Sequence, residues 1–291
     1  MPRPPMVLPP WPPRATLADL ALIPGLTQKA FSEYGHFIFS SCAVQMVLFF
    51  LCLQLVRVVK PDQKDKVSLA DTVFSSVFFP VLAFAAVAAS LELRHDVHSR
   101  WEGKCFWSEL YLILYVSRMM CHIVMQPFED MNLPLLIMMT IHHLISMGCY
   151  IMGLGFGRCH FWGCLDGCCE ITTVFLNGLY FLNGTEVAGK KLKHVLPAWI
   201  SALNGVLLWL AFLVFRLGLF PYWLLHFNQD LQEAPESTRS ITTNLERSIY
   251  PYTTMILLFL SFTWFIPLTQ GMVKSVMMVV APAPASPKKL D

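Results

Sequence analysis

The sequence predicts an all-α, polytopic membrane protein. Three observations lead there. Of 291 residues 55% are hydrophobic and only 14% are charged, where a soluble domain carries about a quarter charged residues. The mean hydropathy is +0.54. The apolar residues fall in blocks of roughly 20, the length a helix needs to cross a ~30 Å hydrocarbon core. A formal charge of +2, spread among loops, is too small for a nucleic-acid-binding field, so no nucleic acid partner is expected.

Residues 1–36 read as a proline-rich amino-terminal segment. Seven prolines in the first 13 residues forbid the helical apolar core of a signal peptide, so the segment is expected to be retained. Thr16 to Tyr34 follows as a short interfacial helix, interrupted at Pro24-Gly25, offering Asp19, Lys29 and Glu33 to headgroups. Residues 37–65 then hold a first span and a loop, residues 66–275 the main domain, and residues 276–291 a tail.

The predicted spans are Phe37 to Val59, Val73 to Leu93, Phe106 to Pro127, Leu133 to Leu154, Phe161 to Leu182, Leu196 to Leu225 and Thr253 to Met278. Seven crossings place the two ends on opposite sides. Dense lysine clusters (Lys60, Lys64 and Lys66; Lys190, Lys191 and Lys193) mark the cytosolic loops, which makes the amino end lumenal and the carboxyl end cytosolic. The Asn183-Gly184-Thr185 sequon would then face cytosol and stay unmodified. Lys288 and Lys289 stand three and four places from the end, the arrangement that the coat machinery recycling proteins to the endoplasmic reticulum reads as an address. Most of the nine cysteines lie inside apolar runs, where a thiol is a small hydrophobe. Cys105 and Cys159 sit near loops on one side and could bridge if that side is oxidising, a pairing the sequence leaves open.

A charged side chain deep in lipid costs roughly 2.5 to 3.5 kcal/mol, so such residues face the bundle interior. Tyr111, Tyr115, Arg118 and His122 recur at intervals of 4, 3 and 4 along the third span, on one helix face. The fourth carries Thr140, His143, Ser146 and Tyr150 with His142 beside them. Asp166, Glu170, Thr173, Asn177 and Tyr180 form a stripe on the fifth, and the sixth supplies Asn204 and Arg216. These stripes predict an internal, partly hydrated polar cavity, with Arg118, Arg216, His142 and His143 as the partners for Asp166 and Glu170. Interhelical hydrogen bonds that merely lock the bundle are the blander use of the same groups.

Within the cavity His142, His143 and Glu170 are the candidate catalytic residues. A neutral imidazole can take a proton from a hydroxyl or amine, a second can hold the acyl oxygen or relay the proton, and a carboxylate can orient the first. Tyr111, Tyr115, Arg118, His122, Tyr150, Asp166, Thr173, Asn177 and Arg216 would line a substrate site. No metal is expected: adjacent helical histidines point about 100° apart, and His160, Cys164 and Cys168 read as ordinary residues of an apolar helix.

The His142-His143 pair followed by Tyr150, the stretch Glu170 to Asn177 (EITTVFLN), and Phe215-Arg216 through Pro221-Tyr222 resemble the TLC-domain superfamily. Its members include ceramide synthases, translocation-associated membrane proteins, the ceroid-lipofuscinosis neuronal protein with this domain and the "TLC domain-containing" proteins. Ceramide synthases follow the histidine pair with His-Asp and a further Asp three places on. This chain has Cys169-Glu170 and Thr173 there, and Val116 where many members have Asp. The resemblance is therefore closest to the "TLC domain-containing" branch, although Val174 replaces a frequent Pro. It implies lipid homeostasis, in phospholipid composition or ceramide levels, with membrane lipids as partners and acyl-CoA as co-substrate if the protein is an enzyme. No other cofactor is implied, and a homodimer is compatible with the sequence. The alternative function is a non-catalytic cargo receptor or assembly factor recycled by the tail. A channel or transporter ranks last, for want of inverted repeats.

Overall fold

The computed structural model describes residues 15–129, 132–187, 189–233, 238 and 242–280; Lys288, Lys289 and the first 14 residues lie outside them. The main-chain path is helical almost throughout. A four-residue capped turn, α1 (Leu17–Leu20), leads into α2 (Ile23–Val59), followed by α3 (Lys66–Leu93), α4 (Val97–Glu102), α5 (Phe106–Met125) and α6 (Leu133–Phe156). Next come α7 (His160–Gly167), α8 (Ile171–Gly184), α9 (Leu192–Val195), α10 (Ala198–Phe212), α11 (Leu219–Glu233) and α12 (Asn244–Val280). The sole sheet among the described residues is a two-stranded ribbon pairing Glu186 with Lys191 and Val187 with Lys190.

Polar caps set the helix starts. Asp65, Asp96 and Asn132 each accept the backbone N–H three residues on, which satisfies a donor that the first turn leaves orphaned. Pro134 sits in the first turn of α6, where its missing N–H costs nothing. That helix ends on Gly157 in the left-handed region at φ 69°, the conformation glycine adopts without a Cβ penalty.

Six helical stretches are long and apolar enough to cross a membrane, beginning at Leu17, Lys66, Val97, Leu133, Ala198 and Asn244. The fifth predicted span is helical too, but it is split: α7 passes through a 3-10 turn at Cys168–Glu170 before α8 begins. The interfacial helix is corrected. The chain breaks at Ala21-Leu22 and not at Pro24-Gly25, because Pro24 falls in the first turn of α2, which runs unbroken into the first span. The sixth predicted segment is continuous from α10 to α11 through a π turn at Leu213–Gly218.

Loops sort to the two ends of the bundle. At one end Lys60 Nζ donates to the Glu186 carbonyl at 3.0 Å and Gln63 Nε2 to that of Gly184 at 2.7 Å, so the two lysine-rich loops share a side. At the other, Arg100 holds both oxygens of Asp230 (2.5 and 2.8 Å), Arg158 holds both of Glu246 (2.6 and 2.7 Å), and Thr238 donates to Glu102. Burial of Arg158 opposes its charge, but the Glu246 hydrogen bonds and carboxylate outweigh it and hold the guanidinium above its ordinary range. Cys105 and Cys159 are not bridged. All nine cysteines are free; Cys159 Sγ instead donates to Glu246 and Cys105 caps α5.

The two largest of four hydrophobic clusters among the described residues hold the middle and one end of the bundle. Small residues Ala85, Ala86 and Ala89 on α3 allow close approach to Tyr111, Tyr115 and Tyr150. Nearer the Arg158 end, Trp101, Trp162, Trp223 and Phe227 pack together with ring centroids 4.6 to 6.1 Å apart, Trp223 stacked on Phe227 and the other pairs tilted or edge-on. Phe39, Phe50, Val58 and Phe84 are exposed on the outer faces, as lipid-facing positions should be.

Candidate functional site

The imidazole pair of α6 faces inward: His142 is 9% exposed and His143 5%. His143 Nε2 lies 2.9 Å from Nδ1 of His122 on α5, and His122 Nε2 lies 3.1 Å from Oε1 of Glu129, just past the Gln126–Phe128 turn. The 4 and 3 residue spacing on α5 and the register of α6 bring these rings together. His142 packs its ring against His143 and the Trp264 indole, with centroids 5.3 and 5.9 Å away. Nδ1 of His143 and Nδ1 of His142 find no hydrogen-bond partner within the protein.

Arg118 belongs to a different partner from those expected. Its Nη2 donates to both oxygens of Asp71 on α3, at 2.8 and 2.9 Å, and to Ser75 Oγ at 2.9 Å, while its guanidinium sits over the Phe74 and Phe79 rings. Asp71 precedes the predicted second span, because the apolar run starts at Val73. The helix starts at Lys66, two turns earlier, and carries the carboxylate into the bundle. Asp71, His122 and Glu129 each offer an atom within 4.8 Å of the others, a grouping that could hold a metal ion. The Arg118 guanidinium, occupying both Asp71 oxygens, opposes a second cation there.

The second half of the polar set lies around the split fifth span. Glu170 is buried and accepts from Thr173 Oγ1 at 2.7 Å. Arg216, placed by the π turn, donates from Nε to Thr172 Oγ1 at 2.9 Å and stacks on Phe212 and Trp264. Its charge reaches Asp166, Glu170 and His142. Neither carboxylate forms an ion pair among the described residues, so the expected Arg118 pairing with them is replaced by that with Asp71. Tyr111 and Tyr150 share a hydrogen bond of 3.1 Å between hydroxyls, and Tyr115 packs edge-on to Tyr150 at 4.6 Å. Asn177 is buried on α8.

A cavity of about 30 Å³ is lined by Tyr150, Asp166, Trp162, Tyr250, Thr253 and Thr254, among others. That volume takes a water molecule or two. Its wall is largely apolar, and Asp166 and Tyr250 bring to it a carboxylate oxygen (Oδ1) and a hydroxyl without a protein partner. Trp264 joins the imidazole pair to Arg216 and so links the two halves of the polar set. Sequence reasoning missed Asp71, Glu129, Thr172 and Trp264. Ser75, one helical turn beyond Asp71, was the available signal for the first; Glu129 follows a proline and reads as plain loop.

The family model described as "TLC domain" matches residues 65–270, against the 66–275 expected for the main domain. No curated protein and no solved structure matches the chain significantly.

Proposed function

The chain belongs to the TLC-domain family, and from that premise we propose that this multi-pass membrane protein binds or processes lipid and tunes phospholipid and sphingolipid composition, by acyl transfer with His143 as base and His142 beside it. One observation carries the reading. His143 is buried between helices, with one ring nitrogen engaged by His122 and the other without a protein partner. An imidazole nitrogen held ready in a water-poor site is what general-base catalysis needs. A hydroxyl or amine would attack the acyl carbon of a thioester such as acyl-CoA and lose its proton to the base. The C–S bond breaks, and the leaving thiolate takes up a proton, so no net proton is gained or lost. Asp166, Glu170 and Arg216 would supply polar contacts to a headgroup, and Tyr111, Tyr115, Tyr150, Thr173 and Asn177 the wall between them.

Replacing His142 and His143 by Ala is expected to reproduce the lipid profile of a deletion, with turnover reduced by at least about 100-fold, while abundance and location are unchanged. Quantitative lipid mass spectrometry of cells expressing each variant measures this. A normal profile would remove the histidines and favour the recycled cargo receptor. Residence in the endoplasmic reticulum, with a cytosolic tail, belongs to the same proposal and rests on Lys288 and Lys289. Their replacement by Ser is expected to move the full chain to later compartments under fluorescence microscopy; unchanged location would withdraw the dilysine address.

A further inference from the structure

We propose that Glu129 and His122 form a proton relay that sets the tautomer of His143 and carries its proton from the bundle interior to the bundle's polar edge. The inference rests on His143 as the base of the reading above. It adds two residues, neither of which was a candidate for catalysis.

The geometry fixes the proton positions when each ring carries one proton. His122 lies between two partners, His143 Nε2 at 2.9 Å from its Nδ1 and Glu129 Oε1 at 3.1 Å from its Nε2. A carboxylate only accepts, so His122 must present Nε2–H to it. His122 Nδ1 is then a bare acceptor, and His143 must donate Nε2–H to it. This leaves His143 Nδ1 with a free lone pair, and Nδ1 is the atom without a protein partner. The opposite arrangement fails twice. It would set the bare Nε2 of His122 against a carboxylate oxygen, acceptor facing acceptor, and bury an N–H of His143 with nothing to receive it, at about 1 to 3 kcal/mol. Among neutral-ring arrangements the structure therefore favours the one that makes His143 a base.

The same chain moves a proton in balanced steps. Nδ1 of His143 takes the proton of the attacking group while its Nε2 proton passes to Nδ1 of His122, and the Nε2 proton of His122 passes to Glu129. Each ring ends with one proton, and the carboxylic acid of Glu129 holds the one removed from the substrate. Glu129 stands in the turn after α5, with its side chain 10% exposed, and can release it to water. Reverse transfer restores the starting tautomers: Glu129 takes a proton back from water, the chain passes it inward, and His143 Nδ1 gives its proton to the leaving thiolate. Arg118, whose charge reaches His143, is neutralised by Asp71, so the positive charge in transit does not meet an unpaired guanidinium.

The test is solid-state nitrogen-15 NMR of the full chain in lipid nanodiscs, with ring-labelled histidine and the His143 signals identified by difference from H143N. The expected result is a single His143 tautomer, protonated at Nε2 and bare at Nδ1, that becomes a near-even mixture in E129Q. Protonation at Nδ1 in the wild-type chain overturns the relay, and so does an E129Q spectrum unchanged from wild type. Stoichiometric zinc in the purified protein, lost in E129Q, overturns it in favour of a metal on Asp71, His122 and Glu129. The wild-type tautomer, once its signals are identified with H143N, decides without E129Q folding and without substrate. A failed relay with a histidine-dependent lipid profile leaves the acyl-transfer reading standing; an intact tautomer with a normal lipid profile removes that reading alone.

Discussion

Replacing Arg118 by Met is expected to destabilise the protein by about 3 to 5 kcal/mol, because it leaves the Asp71 carboxylate inside the bundle without its counter-ion. The guanidinium side chain is 3% exposed and the carboxylate 14%, so solvent screens the pair little. Asp71→Leu alone should cost a similar amount for the mirror reason, stranding the cation between Phe74 and Phe79. The double variant should recover most of either loss, since a well-packed apolar pair removes both desolvation penalties together. Thermal unfolding of the detergent-solubilised chain, read through all four corners of the cycle, gives the coupling energy. Single variants that melt with the wild type would mean that water reaches the pair.

Gly155→Ala is the second large effect. A Cβ at this position would run into the Leu26 carbonyl oxygen, and into the carbon atoms beside it, where α6 crosses α2. The obstacle is backbone, which no rotamer change can move, so the helices must separate, at about 1 to 3 kcal/mol or more. Gly148 lies two turns earlier on the same helix, and a Cβ there would meet nothing within 4 Å. Gly148→Ala should be neutral or raise stability by up to about 1 kcal/mol through helix propensity. The pair of alanine variants thus separates close helix contact from mere loss of glycine. Equal melting temperatures for the two would contradict the crossing at Leu26.

The spans were legible because hydrophobic runs of membrane length have few other uses. Helix register was legible for the same reason: Tyr111, Tyr115, Arg118 and His122 on α5 and the pair on α6 do turn inward. The partners were not. Which charge meets Arg118 depends on how α3 leans across α5, and the sequence carries no record of that angle. Asp71 and Glu129 also lie at helix margins, where apolar runs end before helices do, so a reading built on hydropathy discards them as loop. The break in the fifth span at Cys168–Glu170 was hidden as well, since a 3-10 turn changes the hydrogen-bond pattern and leaves the polarity pattern intact.

That break touches the π turn of the sixth span, through the hydrogen bond from Arg216 to Thr172. Regular helices resist bending because every amide is tied four residues back, and in these two neighbours that pattern is broken, tightened to three residues in one and widened to five in the other. Tilting of α8 and α10 against the rest of the molecule is therefore cheapest along a single line that passes between Glu170 and Arg216. Any rearrangement admitting a bulky guest from the bilayer would start where the scaffold is already most compliant, beside the polar groups that would receive it.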